Sequence, residues 1–180
     1  METVKTGWFV IYTKPRHEKK VAQYLKHLNF EYFLPTIRRL KILAKKKKHI
    51  TSPLFPSYIF VKPDSVQRYI ESMQLPGVLY YVKTGNQIAK VSEATIAKLQ
   101  SLDKKNYQED VEVSAEYFGK GNIINIDAGP FKGFDCEVIE HKGKYKVLVR
   151  LELLQRNIIV DIPSYCLASG FSHIDPIQYS

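Results

Sequence analysis

The sequence predicts an α+β protein: an N-terminal antiparallel sheet packed with helices, followed by a small β-barrel. Three observations predict it. Runs such as WFVIY (residues 8–12) and YIFVK (58–62) are apolar on both faces of an extended chain, so they belong inside a sheet covered on two sides. Between them lie segments whose apolar residues recur at helical spacing. Beyond residue 116 the chain turns to short β-rich runs separated by turn residues, a pattern that suits a small closed barrel.

Residues 8–12 read as a first, central strand, and Pro15 suits the first turn of a helix. Over 16–28, Val21, Tyr24, Leu25 and Leu28 form the packing stripe, while Arg16, Lys19, Lys20, Gln23, Lys26 and His27 form a cationic ridge opposite. Residues 34–43 and 50–62 read as two extended segments around Lys45, Lys46, Lys47 and Lys48, which places the lysine run at a hairpin tip. Four like charges repel there unless a polyanion is near; a solvated, edge-protecting tip and a phosphate contact are both open. Within 50–62, alternation puts Tyr58 and Phe60 on one face and Ile59 and Val61 on the other.

Asp64 can cap a short helix whose Val66, Tyr69, Ile70 and Met73 follow the i, i+3, i+4, i+7 spacing, ended by Pro76 and Gly77. Strands at 78–83 and 87–91 flank Gly85 and Asn86, a hairpin signal, and Ser92 caps a helix holding Ile96 and Leu99. Residues 1–104 form the first domain in this reading. Residues 105–116 are polar, without apolar period, and read as a linker; 117–180 form the second domain, with strands at 122–126, 134–139, 145–151 and 157–162.

With 44% hydrophobic residues in 180, the chain can bury a core without metal or disulfides. Cys136 and Cys166 are too far apart for a zinc knuckle and too few for a disulfide scaffold, and residues 1–20 resemble neither a signal peptide nor a membrane span, so a cytoplasmic location is expected. Charge divides the chain. Residues 1–110 carry 20 Lys and Arg against 9 Asp and Glu, and residues 111–180 carry 7 against 9. The first half therefore suits a polyanion partner, although lysines that merely keep it dissolved give the same count. The five histidines are scattered, without HExxH, Cys-x-x-Cys or an acidic pair, and FGKGNIINIDAGPFKG lacks the GK[ST] ending of a phosphate loop. No enzyme, cofactor or metal is expected. Gly129 and Gly133, around Pro130 and Phe131, read as backbone turns.

The segments WFVIYTKPRHEKKVAQYL, LFPSYIFVK and PGVLYYVK resemble the N-terminal (NGN) domain of NusG-type transcription elongation factors, and GNIINIDAGPFKGFDCEVIE resembles their KOW module. The resemblance covers nearly the whole chain in the family's order. Its basic residues and short linker look more like the specialised paralogues, such as RfaH and the UpxY antiterminators, than like the housekeeping factor. It implies a processivity-promoting antiterminator, monomeric and needing no membrane, whose first domain docks on the clamp helices of the RNA polymerase β′ subunit. Trp8, Tyr12, Phe55, Pro56, Tyr58, Phe60 and Tyr81 match positions at or near that surface, and core packing is the alternative for each. Lys14, Arg16, Lys19, Lys20 and Tyr24 match the zone that meets the non-template DNA strand at the upstream edge of the bubble, with core packing the competing role for Tyr24.

Residues 65–68 match where some relatives touch the β-subunit gate loop, but depart from the threonine-rich form. The KOW-like turn (Gly129, Pro130, Phe131, Gly133) implies a partner that in relatives is a small-subunit ribosomal protein or Rho. The β-prone run at 158–162 predicts a barrel rather than a helical hairpin as the ground state of that domain. The rival from another class is a KOW-containing RNA-binding or ribosome-associated protein, which would bind free RNA without polymerase.

Overall fold

The structure, a computed structural model, describes residues 7–43, 46–104, 111–114, 122–124, 136–141, 144–151, 154 and 156–161. Two compact units divide the chain, Met1–Glu109 and Asp110–Ser180. The fold is α+β; among the described residues, both units contain antiparallel sheets and the first contains three helices.

In the first unit, β1 (Trp8–Thr13) is the central strand. It pairs antiparallel with β5 (Tyr58–Lys62) along one edge, and β2 (Glu31–Phe33) extends the sheet beyond β5. Along the other edge, β6 (Val78–Tyr81) pairs with Ile11–Thr13 and β9 (Lys90–Val91) with Trp8 and Phe9. One sheet face carries Phe9, Ile11, Ile59, Val61 and Tyr81 against Val21, Ala22 and Leu25 of α1 (Glu18–His27) and Phe30, a single buried cluster. Removing that apolar area from water is the main term holding the unit together.

The extended segments expected at 34–43 and 50–62 have other bounds in the structure. At Pro35 the chain leaves β2 and starts β3 (Thr36–Leu43), which forms a separate two-stranded ribbon with β4 (Lys46–Pro53). At Ser57, with φ of 69°, a turn separates β4 from β5. The lysine run therefore extends along β4, with Leu43 opposite Lys46, and Lys45 lies outside the described residues. Pro15 lies in the turn before α1 rather than in the helix, and the residue after it, Arg16, has φ of 64°.

Helix α2 (Val66–Met73) is capped by Ser65, whose Oγ accepts the Arg68 amide at 3.2 Å, one residue later than the expected Asp64. Its apolar residues are only partly covered. Tyr69 packs on Tyr81 with ring centroids 4.5 Å apart and Ser72 is buried, whereas Val66, Ile70 and Met73 are 50%, 45% and 39% exposed. The hairpin β7 (Lys83–Thr84) to β8 (Gln87–Ile88) turns at Gly85 and Asn86, with Gly85 at φ of 60°, as its dipeptide predicts. Ser92 caps α3 (Glu93–Lys104) through the Thr95 amide, and Ile96 and Leu99 are buried.

Among its described residues, the second unit contains a five-stranded antiparallel sheet. Its spatial order is β10 (Val111–Ser114), β14 (Arg156–Asp161), β13 (Lys144–Leu151), β12 (Cys136–His141) and β11 (Asn122–Ile124). Residues 111–114 fall inside the stretch read as a linker; their register with Val160, Ile159, Ile158 and Asn157 makes them a sheet strand instead. Ile139, Leu148 and Ile159 form a buried cluster, and Ile158 and Ile159 lie in a strand, as their β-propensity predicts. The turn residues Gly129, Pro130, Phe131 and Gly133 lie outside the described residues.

Candidate macromolecule-binding surfaces

On the sheet face away from α1, strand register brings three tyrosines side by side. Tyr12 of β1 stands opposite Tyr58 of β5 and opposite Tyr80 of β6. The rings of Tyr12 and Tyr58 meet edge to face at 5.1 Å, and those of Tyr12 and Tyr80 stack at 5.0 Å and 15°. Tyr80 is 50% exposed, Tyr12 and Tyr58 are half-buried, and Pro56 beside them is exposed. The pairing order makes a continuous row of rings across three strands, a shape that offers area without side-chain entropy to lose.

The other aromatics expected at this surface are interior. Phe55 and Phe60 are fully buried and meet edge to face at 6.4 Å, with Phe33 stacked on Phe60 at 6.0 Å. Tyr81 is buried on the opposite face, where its hydroxyl meets Ser72 Oγ at 2.6 Å. Burial there pushes the Tyr81 phenol up to about 12, the Ser72 hydrogen bond opposing the shift. Trp8 is buried too, and its indole N–H donates to Glu93 Oε2 at 2.8 Å. Lys62 Nζ closes that group, 2.7 Å from Glu93 Oε1 and 3.7 Å from Glu31. The hydrogen bond from Lys62, then that from Trp8, holds the Glu93 carboxyl below its ordinary range; the same bond to Glu93 is the main cause of a raised Lys62. Trp8, Phe55, Phe60 and Tyr81 thus support the tyrosine row from within instead of forming it.

A buried carboxylate that the sequence does not single out sets the edge of this surface. Glu18, in the first turn of α1, accepts the Ser57 amide at 2.6 Å, while Ser57 O accepts the Thr13 amide at 2.8 Å. The positive-φ turn that presents Pro56 is therefore pinned to both β1 and α1. Only the fold brings positions 18 and 57 together; in sequence, Glu18 reads as one more first-turn acid.

The expected nucleic-acid residues do share a surface region. Lys14, Arg16, Lys19 and Lys20 are exposed along the turn before α1 and its first helical turn. Lys20 Nζ lies 6.0 Å from the centre of the half-buried Tyr24 ring, outside the Val21, Ala22 and Leu25 contribution to the core cluster. Lys19 Nζ donates to Thr51 O at 2.6 Å, joining α1 to the β3–β4 ribbon. Among the described residues, no group of three or more His, Cys, Asp or Glu is placed to hold a metal ion, and no helix is long and apolar enough to cross a membrane.

What the described side chains assemble is a pair of candidate binding surfaces, an aromatic row and a cationic helix face, on an antiparallel α+β unit followed by one whose described elements are strands. Its family follows from comparison. The profile described as "Transcription termination factor nusG" matches residues 6–100, and the chain belongs to the NusG family. It is similar to the transcription termination/antitermination protein NusG of Helicobacter pylori, 23% identical over 86% of this chain and 93% of that protein. The NusG of Thermus thermophilus is 22% identical over 80% of this chain and 89% of that one. Among solved structures, that of Thermotoga maritima NusG shares the fold, with a TM-score of 0.51 and 20% identity over 87% of this chain and 94% of that one.

Proposed function

We propose that this NusG-family factor is a non-enzymatic transcription antiterminator of the specialised, operon-restricted type, which binds RNA polymerase, suppresses pausing and keeps transcription processive. The observation that carries the reading is the open row of Tyr58, Tyr12 and Tyr80. Its occupant is the β′ clamp-helix coiled coil, whose paired helices present an apolar ridge to a flat aromatic strip. Residues 65–68 supply a second contact, to the β-subunit gate loop. Lys14, Arg16, Lys19 and Lys20 neutralise phosphates of the non-template strand, and Tyr24 offers a ring on which an unpaired base can stack. The second unit acts as a KOW module that recruits a small-subunit ribosomal protein or Rho. The factor works in the cytoplasm as a monomer and without a cofactor, and the chemistry stays in the polymerase. Bridging shifts the enzyme toward its active conformation by the difference in affinity for the two states.

Tyr58→Ala with Tyr80→Ala tests the reading. The variant keeps its circular dichroism, because both rings lie at the open edge, and captures core RNA polymerase about 30-fold less well or worse. Unchanged capture overturns the docking surface. Binding of free RNA at wild-type strength by the same variant, with capture of polymerase absent in both proteins, establishes the ribosome-associated alternative.

A further inference from the structure

The turn that leads from β1 into α1 exposes Lys14, Pro15 and Arg16, yet its backbone is fastened at several points. The Lys14 amide donates to Gly77 O at 2.8 Å. Lys14 O accepts the His17 amide at 3.1 Å and the Thr13 hydroxyl at 3.2 Å, and His17 O accepts the Val21 amide at 2.8 Å as α1 begins. His17 Nδ1 lies 3.1 Å from Pro15 O. Two cationic side chains thus stand in solvent on a stem that is held still.

The His17 ring has a seat of its own. Leu75 to Val78 close a turn, the Val78 amide donating to Leu75 O at 3.1 Å, with Pro76 and Gly77 at its centre and Gly77 at φ of 99°. A Cβ on Gly77 would stand 3.1 Å from His17 Cδ2, 3.2 Å from its Cβ and 3.3 Å from its Cγ. The imidazole therefore lies against bare backbone, with no room for a methyl group between them.

Arg16 indicates what the clamp is for. Its φ of 64° falls in the left-handed region, which glycine enters freely and a residue with a Cβ does not. If closing the chain between β1 and α1 were the whole task, glycine at position 16 would do it with less strain. An arginine there keeps a charge beside Lys14 instead. Strained residues of this kind persist where surrounding contacts hold them, and they gather at ligand clamps. Here the surrounding contacts are the bonds to Lys14 and the ring seated on Gly77.

We infer that His17 and Gly77 are positioning residues for nucleic acid: the seated ring holds the 14–17 turn so that Lys14 and Arg16 meet phosphates of a strand without first having to be ordered. This rests on the function proposed above for those two cations and adds the device that presents them. The full-length protein and four variants are titrated by fluorescence anisotropy with oligothymidine of about 20 nucleotides, from about 50 to 200 mM salt, beside urea unfolding of each. Lys14→Ala/Arg16→Ala lowers the salt slope by about 1.4, roughly 0.7 for each phosphate left without its cation. His17→Ala lowers it by about 0.7 to 1.4 although both cations remain, and His17→Phe, which keeps a flat ring on Gly77, restores it. Gly77→Ala lowers the slope as His17→Ala does, by displacing the ring; if its strained backbone prevents folding, the two His17 variants decide. A clamp that serves folding alone lowers the urea midpoint and leaves the slope as it was, and that result overturns the inference. So does a loss in His17→Phe equal to that in His17→Ala, which makes the imidazole itself the contact. A slope unchanged in Lys14→Ala/Arg16→Ala overturns the proposed cationic face and the inference with it, whereas a slope that falls there but not in His17→Ala overturns the inference alone.

Discussion

Tyr81 joins the sheet to α2: its ring packs on Tyr69 and edge-on to Phe9, and its hydroxyl reaches Ser72. Ser72 Oγ donates to Tyr69 O at 2.7 Å and lies 2.6 Å from the Tyr81 hydroxyl. Tyr81→Phe therefore removes one neutral hydrogen bond while Ser72 keeps its other partner, costing roughly 1 kcal/mol near neutral pH. The raised phenol makes the effect depend on pH. Below pH 10 both folded and unfolded phenols are protonated and the stabilisation is complete; between 10 and about 12 only the unfolded phenol ionises, so stability drains away as pH rises. The loss amounts to roughly 2 kcal/mol across that window. Urea unfolding at pH 8 and pH 11 checks it: the wild type loses more stability than Tyr81→Phe over the same step, and parallel losses would contradict the assignment.

Glu18 gives a second test at this scale. Glu18→Ala leaves the Ser57 amide buried without its acceptor and costs about 1 to 3 kcal/mol, read as a lower urea midpoint. Polymerase capture falls as well, through the loosened Pro56 turn. Phe60→Ala is a poor probe of docking by contrast, since truncating a fully buried ring costs about 3 to 5 kcal/mol wherever the partner binds. Alternation along 58–62 correctly put Tyr58 and Phe60 on one face. It could not say where along that face the cover stops. Phe33 and Phe55 close over Phe60 and leave Tyr58 at the rim, a fact that belongs to residues distant in sequence.

Among the elements, those with one strong local signal were legible. The apolar run of β1, the Gly85-Asn86 turn and the Ser92 cap each formed at or near the expected positions. Two kinds of element were not. Tyr80 was missed because residues 78–82 are apolar without alternation, so nothing in VLYYV marks a face; only the antiparallel pairing of β6 with β1 sets Tyr80 opposite Tyr12. Helix α2 has its expected spacing, but spacing alone does not set its rotation. Arg68 fixes it by donating to Leu28 O at 2.6 Å and lying 3.8 Å over the Phe30 ring, which turns Tyr69 and Ser72 inward. Helical periodicity states that a stripe exists; partners from other elements decide whether it is covered.

The cationic face of α1 carries an element-scale prediction. Lys19→Glu with Lys20→Glu reverses two exposed charges without touching Val21, Ala22 or Leu25. Binding to oligothymidine weakens, and its salt slope drops by about 0.7 for each phosphate no longer neutralised. An unchanged slope removes α1 from the nucleic-acid surface. Tyr24→Ala separates stacking from charge: it lowers affinity by about 1 to 3 kcal/mol while leaving the slope alone.

At the scale of the whole molecule, each unit buries its own residues. The described cluster of the first unit runs from Phe9 to Tyr81, and that of the second joins Ile139, Leu148 and Ile159. The charge division has the same boundary, with the excess of Lys and Arg confined to the first 110 residues. Independent cores predict independent folding. Chains ending at Glu109 and beginning at Asp110 each unfold cooperatively, because every strand that pairs across the Asp110–Ser180 sheet, β10 included, stays on one side of the cut. A cut at residue 117, where composition alone would place the second domain, removes β10 and leaves the β14 edge unpaired; that fragment has a lower urea midpoint than the one beginning at Asp110. Equal midpoints would show that β10 contributes nothing to the second unit. The proposed function predicts the same division for the two fragments. The fragment ending at Glu109 captures polymerase and binds DNA, and the fragment beginning at Asp110 does neither. Capture by the second fragment alone would move the docking surface out of the sheet that carries Tyr12, Tyr58 and Tyr80.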